Sequence, residues 1–377
     1  MLTQIDLEQQ IDTYSAKVST TSYSMSVGEL VSMYKDGELN LHPEFQRFFR
    51  WTVEQKSKFI ESLLLGIPIP PIFVSERSNS YWDVIDGLQR ISTIFEVMGE
   101  LRDEEKQLKE QLALTRTRYL PSLEGKLWQS DIEENQLPES AKVRIKRSRI
   151  DVNIVKKTSD EIAKYEIFQR LNTGGSVATN QEVRNCILVM NNRDFFYRIK
   201  GLAELESFKE CVLITDRALE ESFDLELLTR FFVFCSSNQT KLSQINELGD
   251  FLTDEILEIS KINQNGDLNQ RIESAFQETF RYLAEHFGAN SFRKFNLDQD
   301  RYYGGTLVSL FEVVAVGIGR NLLAGRTLPN PVIFCERHKN LGSDNYVKQF
   351  TRSGIRSSYR IPKTIEFGEN LVQSCLS

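Results

Sequence analysis

The chain has 377 residues, of which 40% are hydrophobic and 26% charged, and its formal net charge at pH 7 is −7. This composition is typical of a globular protein with room for two packed domains, and it excludes a largely disordered chain. The acidic net charge argues against a protein that coats nucleic acid through its overall field, so any DNA contact must come from a local basic surface.

The sequence contains no recognisable targeting signal and no cysteine motif typical of a disulfide framework or a zinc site. No apolar run approaches the length of a membrane span, and the first residues lack the basic and apolar regions of a signal peptide. We therefore expect a cytoplasmic protein without a membrane partner. The five cysteines are odd in number and form no Cys-x-x-Cys pair, which predicts buried free thiols rather than disulfides or a zinc knuckle.

The first predicted elements are an arm, several capped helices and two strands. Residues 1–22 are polar with weak patterning, which indicates a flexible arm. Polar residues in a capping-box pattern at Ser26, Thr52 and Thr179 precede apolar-periodic runs, and each predicts the start of a helix. Residues 67–74 are typical of an extended segment, and their prolines favour an edge position in a sheet.

The most informative segment is residues 81–90, where an apolar-rich strand runs into an Asp-Gly corner and then into an apolar-periodic helix. The polar residues of this corner are Asp86, Gly87, Gln89 and Arg90. An aspartate can bind a metal-bound water or a hydroxyl, and a glycine lets another group approach the backbone. Glutamine and arginine offer donors beside a helix N-terminus, which favours anions. The corner therefore suits a nucleotide or phosphate, or alternatively it is a tight turn in which Asp86 caps the helix and pairs with Arg90.

Two segments follow this helix. Residues 100–140 are charged and have little apolar pattern, which predicts an insertion or lid rather than part of the core. Basic and other residues then alternate ahead of the apolar run 150–155, which predicts a strand with Lys142, Arg144 and Lys146 on one face. This basic stripe suits contact with DNA phosphates, and a solvated strand face is the alternative.

The remaining pattern is mainly helical. A loop containing Asn172, Thr173 and Gly174 joins two predicted helices, and it suits either a phosphate or an ordinary tight connection. We expect Arg230 to form surface ion pairs, with contact to nucleotide or DNA as the alternative. The arginine-rich residues 351–360, which include Arg352 and Arg356, are predicted to form a loop that contacts phosphate or serves as a solvated connector.

Several motifs flank the Asp-Gly corner in a fixed order. They are LHPEFQRFFRW at 41–51, GIPIPPI at 66–72, IFQRLNTGG at 167–175 and QEVRN at 181–185. Together with DGLQR at 86–90 they resemble the N-terminal domain family of GmrSD-type restriction endonucleases. That family is a branch of the ParB/sulfiredoxin-like superfamily and has Asp-Gly-Gln-Gln-Arg as its hallmark. The resemblance covers roughly residues 25–190, and the order of several separate motifs makes it specific.

The resemblance implies an α+β fold. A ParB/sulfiredoxin-like mixed α/β nucleotide-binding domain would span residues 23–190, with the insertion near 100–140, and a mainly α-helical domain would span 191–377. The implied catalytic residues are Asp86, Gln89 and Arg90. The implied nucleotide-binding residues are Gln46, Arg47, Gly87, Asn172, Thr173 and Gly174. The implied cofactors are a nucleoside triphosphate and Mg²⁺, with Asp86 as the contact to the metal because no direct metal-binding motif is present.

The resemblance also implies a function. We expect a protein that binds and hydrolyses nucleoside triphosphates and is directed to phage or modified DNA in a bacterial restriction or anti-phage system. Leu88 stands where the hallmark has its first glutamine, which favours an alternative, a non-catalytic DNA- or protein-binding sensor. A third hypothesis treats the ParB-like domain itself as a nuclease.

The candidate partners follow from what the motifs lack. The three histidines do not have the spacing of a His-Asn-His nuclease, and no Walker-type Gly-Lys-Ser/Thr loop is present. DNA cleavage would therefore require a nuclease partner subunit or a site that no known motif marks, and a second copy of the chain is a further candidate partner.

Overall fold

The computed structural model describes residues 7–15, 19–41, 51–77, 79–103, 105–159, 179–261, 267–342 and 355–376. The chain divides into two compact units, Met1–Ala178 and Thr179–Ser377. The first unit is mixed α/β and the second is mainly α-helical, so the predicted α+β class is confirmed. The domain boundary predicted at residue 190 falls inside a helix, and the division between the units comes earlier in the chain.

A mixed five-stranded sheet forms the centre of the first unit. Its strands are β1 (Thr20–Ser26), β2 (Leu39–Asn40), β3 (Ile72–Glu76), β4 (Trp82–Asp86) and β5 (Arg149–Val155). Their order is β1-β5-β3-β4-β2, with β5 parallel to β3 and β4 parallel to β2. Strand β1 pairs antiparallel with β5 along its whole length, so residues 20–22 belong to the sheet and not to the arm predicted for residues 1–22.

The described part of the first unit also contains five α-helices. The helices of the first unit are α1 (Leu7–Ser15), α2 (Val27–Lys35), α3 (Val53–Leu65), α4 (Leu88–Met98) and α5 (Glu139–Arg147). The predicted N-caps are confirmed, because the Ser26 side chain accepts a hydrogen bond from Glu29 N and Thr52 forms a reciprocal capping box with Gln55. These caps satisfy backbone N–H groups that have no partner inside their helices.

One apolar core joins the sheet to its helices. Ile150, Val152 and Ile154 alternate with more exposed residues along β5, which places them on one face of the sheet. They belong to the same buried cluster as the apolar stripes of α2, α3 and α4. Burying these stripes supplies most of the stabilisation that short helices cannot derive from their own hydrogen bonds.

The segment 100–140 is part of this core, and the expectation of a lid outside the core is wrong. Its buried core residues are Leu101, Leu112, Leu114, Leu123, Trp128 and Leu137. The segment has little regular secondary structure, so its apolar residues lack the 2.0- or 3.6-residue period from which a core segment is identified.

Glu61 of α3 binds the segment 100–140 through three hydrogen bonds. Its Oε1 accepts hydrogen bonds from Thr117 Oγ1 at 2.5 Å, and from the backbone N–H groups of Tyr119 and Leu120 at 2.9 Å each. Desolvation raises the pKa of Glu61, but these hydrogen bonds outweigh it and lower the pKa below its ordinary value. The carboxylate therefore replaces the backbone partners that an irregular segment lacks.

The second unit is a helical assembly with one short hairpin. Its helices are α6 (Asn180–Asn191), α7 (Arg193–Ala203), α8 (Glu206–Cys211), α9 (Asp216–Glu220), α10 (Phe223–Ser236), α11 (Gln239–Ser243), α12 (Leu248–Lys261), α13 (Asp267–His286), α14 (Val308–Leu323), α15 (Pro331–Asn340) and α16 (Ser357–Gln373). The hairpin pairs β6 (Lys294–Asn296) with β7 (Arg301–Tyr303). Thr179 forms the predicted capping box at the start of α6. All five cysteines are free, and four of them are buried.

Helices α10, α14 and α16 form the tightly packed centre of this unit. A Cβ atom on Gly317 of α14 would lie 2.6 Å from the carbonyl oxygen of Gly368 in α16, so glycine permits the close approach of the two helices. Glu312 of α14 is fully buried and pairs with Arg230 of α10 at 2.8 Å and with Arg360 of α16. Arg230 is thus held in a buried network, not in the surface ion pair expected from the sequence.

Candidate functional site

The polar corner is built where β4 ends and α4 begins. Gly87 adopts a left-handed backbone conformation, with φ of 87° and ψ of 11°, that turns the chain from strand to helix. A Cβ atom at this position would collide with Cγ2 of Ile72 in β3 and would lie 3.0 Å from Arg90 Nη2. Glycine is therefore required at this position for two reasons, the left-handed backbone angle and the lack of space for a Cβ atom.

Asp86 and Arg90 face each other across this glycine. Arg90 Nη2 donates to Asp86 Oδ2 at 2.7 Å, and Arg90 Nη1 donates to the Pro70 carbonyl at 3.0 Å. The Arg90 side chain is 13% exposed and the Asp86 side chain 27% exposed. The guanidinium is thus fixed from two directions, while the carboxylate keeps an accessible side beside the first turn of α4.

A polar stripe runs down α4 from this corner. At 100° per residue, Gln89, Ser92, Thr93 and Glu96 lie on one side of the helix. The opposite side carries Ile91, Ile94, Phe95 and Met98, which belong to the core. The stripe is nevertheless largely buried, with Ser92 only 2% and Thr93 only 1% exposed. Within the described structure, neither hydroxyl has a hydrogen-bond partner.

The stripe ends on an ion pair between two helices. Lys56 Nζ of α3 lies 2.6 Å from Glu96 Oε2 of α4, and both side chains are mostly buried. A helical wheel could have revealed the polar stripe from the sequence. Its burial and the missing partners of Ser92 and Thr93 depend on packing, and sequence reasoning missed both residues.

Comparison with known proteins concerns this first unit and most of α6. Residues 27–189 match the family model described as GmrSD restriction endonuclease, N-terminal domain. This region is a GmrSD-type N-terminal domain. The resemblance inferred from the motifs is confirmed, and it links the chain to restriction systems. Searches of curated proteins and of solved structures gave no match.

The structure brings together the DGLQR residues of the GmrSD-type domain. Asp86, Gly87, Gln89 and Arg90 lie at one strand-to-helix corner. Gln46, Arg47, Asn172, Thr173 and Gly174 lie outside the described residues. Leu88, which departs from the family hallmark, is partly buried and packs against the core.

The predicted basic strand of the GmrSD-type domain is wrong. Lys142, Arg144 and Lys146 lie on helix α5, which ends at Arg147 before β5 begins. Lys142 is buried with its Nζ 2.6 Å from Glu139 Oε1, whereas the other two are exposed. A run of lysine and arginine has high helix propensity, and this outweighed the two-residue alternation. A spacing of two residues places Arg144 far around the helix from its neighbours, so the three do not form one stripe.

The described residues include one of the two C-terminal basic candidates. Arg356 is exposed at the N-cap of α16, and Arg352 lies outside the described residues. Arg360 of the same segment is committed to Glu312. Arg356 is therefore the accessible cation in the described part of this predicted phosphate-binding loop.

No group of three or more His, Cys, Asp or Glu side chains suited to a metal ion occurs among the described residues. His338 is buried between Ser291 O and Tyr302 Oη, and burial lowers its pKa to about 4. No helix in the described part of the chain has the length and apolar character needed to cross a membrane.

Proposed function

We propose that the GmrSD-type domain binds and hydrolyses nucleoside triphosphates at the Asp86–Arg90 corner, and that the chain acts on phage or modified DNA in a bacterial restriction or anti-phage system. The observation that carries the proposal is the corner itself. An accessible carboxylate and a fixed guanidinium flank a glycine with no room for a side chain, next to a helix N-terminus. Phosphoryl transfer requires neutralisation of phosphate charge and a group that orients the nucleophile, and a guanidinium and a carboxylate can supply these.

The residues of the corner fit a nucleotide in separate roles. The backbone N–H groups at the start of α4 and the Arg90 guanidinium would face the phosphates. Asp86 would orient the attacking water through its accessible oxygen. Mg²⁺, when bound, would neutralise phosphate charge, and Asp86 is the residue that would hold it. One carboxylate is compatible with that role, because Mg²⁺ commonly keeps several waters and binds phosphate oxygens.

A second candidate function, nucleotide binding without turnover, is favoured by Leu88. Its side chain packs against the core, so the first turn of α4 lacks the amide that the family hallmark supplies there. If that amide assists the reaction, the chain would use a bound nucleotide as a switch for a DNA- or protein-binding sensor. Cleavage of DNA would then belong to a nuclease partner subunit.

Contact with DNA would rely on local cations, since the chain carries a net charge of −7. Arg144 and Lys146 on α5 and Arg356 at the start of α16 are exposed and can contact phosphates singly. Contacts of this kind give sequence-independent affinity that falls as salt rises. Recognition of a particular sequence or modification would require other groups.

Phosphate release from ATP, GTP, CTP and UTP with Mg²⁺, with and without DNA, tests the proposal. We expect release by the natural protein and a loss of at least about 100-fold in Asp86→Ala and Arg90→Ala. Asp151→Ala and Arg149→Ala, at exposed positions of β5, are matched controls that should retain activity. Binding of nucleotide without release would favour the switch. Neither binding nor release by the natural protein would overturn the nucleotide hypothesis.

A further inference from the structure

Two buried hydroxyls on the polar stripe of α4, those of Ser92 and Thr93, have no hydrogen-bond partner within the described structure. Buried serine and threonine hydroxyls in its helices commonly donate to the carbonyl four residues earlier, as Ser57 does to Val53 O at 2.8 Å and Thr229 to Leu225 O at 2.9 Å. Ser92 and Thr93 are similarly buried, at 2% and 1% exposed, yet within the described structure they make no such bond. A buried hydroxyl without a partner destabilises the folded state, so each needs a physical explanation.

The position of these hydroxyls suggests a ligand. They lie one helical turn beyond Gln89, on the same side of α4, and the Cα–Cβ bonds of a helix tilt toward its N-terminus. Both side chains therefore lean toward the Gly87 end of the stripe. The other end is occupied by the Lys56–Glu96 ion pair, whose charges already satisfy each other.

We propose that the hydroxyls of Ser92 and Thr93 donate hydrogen bonds to phosphoryl oxygens of the nucleotide and so act as positioning residues. This inference rests on the proposed nucleotide site. Phosphate is favoured over sugar or base because the helix N-terminus and Arg90 attract an anion to this end of the stripe. Hydrogen bonds to charged oxygens are also stronger than those to neutral groups.

The proposal predicts opposite effects on stability and on binding. Ser92→Ala and Thr93→Val remove hydroxyls that have no partner without ligand, so the melting temperature of the ligand-free protein should rise by a few degrees per substitution. Affinity for the nucleotide should fall about tenfold in each variant, since a hydrogen bond to phosphate is lost. If a hydroxyl only stabilised the fold, its removal would lower the melting temperature and leave nucleotide affinity unchanged.

Thr279→Val is the matched control. Thr279 is fully buried in α13 of the second unit, and its hydroxyl also lacks a partner within the described structure. Its replacement should raise the melting temperature in the same way while leaving nucleotide affinity unchanged. This separates the general effect of removing an unpaired hydroxyl from an effect on the site.

Calorimetric titration of the full chain with ATP, GTP, CTP and UTP, inorganic tripolyphosphate and the matching nucleosides measures the binding. We expect weaker binding of the nucleotide and of tripolyphosphate by both variants, with the nucleoside unaffected. Unchanged affinity in both variants would overturn the inference and leave the nucleotide site intact. A loss confined to the nucleoside would overturn the assignment to phosphate. No nucleotide binding by the natural protein would reject the proposed function, and this inference with it.

Discussion

Two carboxylates paired with arginine lie in contrasting surroundings, one in each unit. Asp86 accepts a hydrogen bond from Arg90 four residues later and keeps about a quarter of its side chain exposed. Glu312 is completely buried and pairs with arginines from two other helices. The second carboxylate has no accessible side, whereas the first retains one.

The difference indicates what each pair does. A buried ion pair loses its hydration, so its charges need hydrogen-bond partners within the protein. The Glu312 network supplies these partners from α10, α14 and α16. Burial lowers the pKa of Arg230, but Glu312 and Glu226, which lies 2.5 Å from Arg230 on the same helix, outweigh it and raise the pKa, so the charge is retained. The Asp86 pair is only partly buried, so water compensates part of its charge and the exposed side of the carboxylate can serve a ligand. The following predictions are ordered by their expected effect on stability.

Glu312→Ala should have the largest effect on stability. It leaves Arg230 and Arg360 buried without their carboxylate, which costs about 3–5 kcal/mol of the free energy of unfolding. Urea unfolding measures the loss. The exposed pair between Arg281 and Glu278 supplies the control, because Glu278→Ala should change stability by less than about 0.5 kcal/mol. Equal effects of the two substitutions would show that burial does not distinguish these pairs.

Gly87→Ala should destabilise the protein by about 2–3 kcal/mol and should abolish nucleotide binding. Alanine adds the strain of a left-handed backbone to a collision with the buried Ile72. Gly37→Ala is the matched control, since Gly37 has φ of 77° but nothing within 4 Å of an added Cβ. We expect about 1 kcal/mol there. Similar unfolding midpoints for the two variants would contradict the close approach at the corner.

Glu61→Gln extends the comparison to a carboxylate held by uncharged donors. The pKa of Glu61 is lowered in the folded protein, so its contribution to stability is complete above the ordinary value of 4.5 and is lost as pH falls through the folded value. The substitution should cost about 1 kcal/mol at pH 7 and weaken the acid dependence of stability. Urea midpoints between pH 7 and pH 3 check this. An unchanged acid dependence would exclude Glu61 as a contributor.

Asp86→Asn should have the smallest effect on stability. The exposed side of the pair limits its contribution to less than about 1 kcal/mol, so the melting temperature should change little. Phosphate release should nevertheless fall by at least about 100-fold if Asp86 orients water or Mg²⁺. A large loss of stability would place Asp86 with Glu312 as a structural carboxylate.

Local signals in the sequence were reliable where neighbours along the chain determine the structure. The caps at Ser26, Thr52 and Thr179 were predicted because each uses a backbone N–H three residues away. The strand-to-helix corner at Gly87 was predicted for the same reason, since one glycine allows the required backbone angle. The basic segment at residues 142–147 was predicted incorrectly, because its alternation competed with the helix propensity of its residues.

The sequence by itself determined the α+β class, the family of the first domain and the corner that carries Asp86 and Arg90, because these depend on local patterns and ordered motifs. Tertiary structure decided the rest. It placed the leucines of residues 100–140 in the core, paired Glu312 with Arg230 across 82 residues, and buried Ser92 and Thr93 without partners. These features depend on contacts between distant segments, whose spacing along the chain carries no period by which to recognise them.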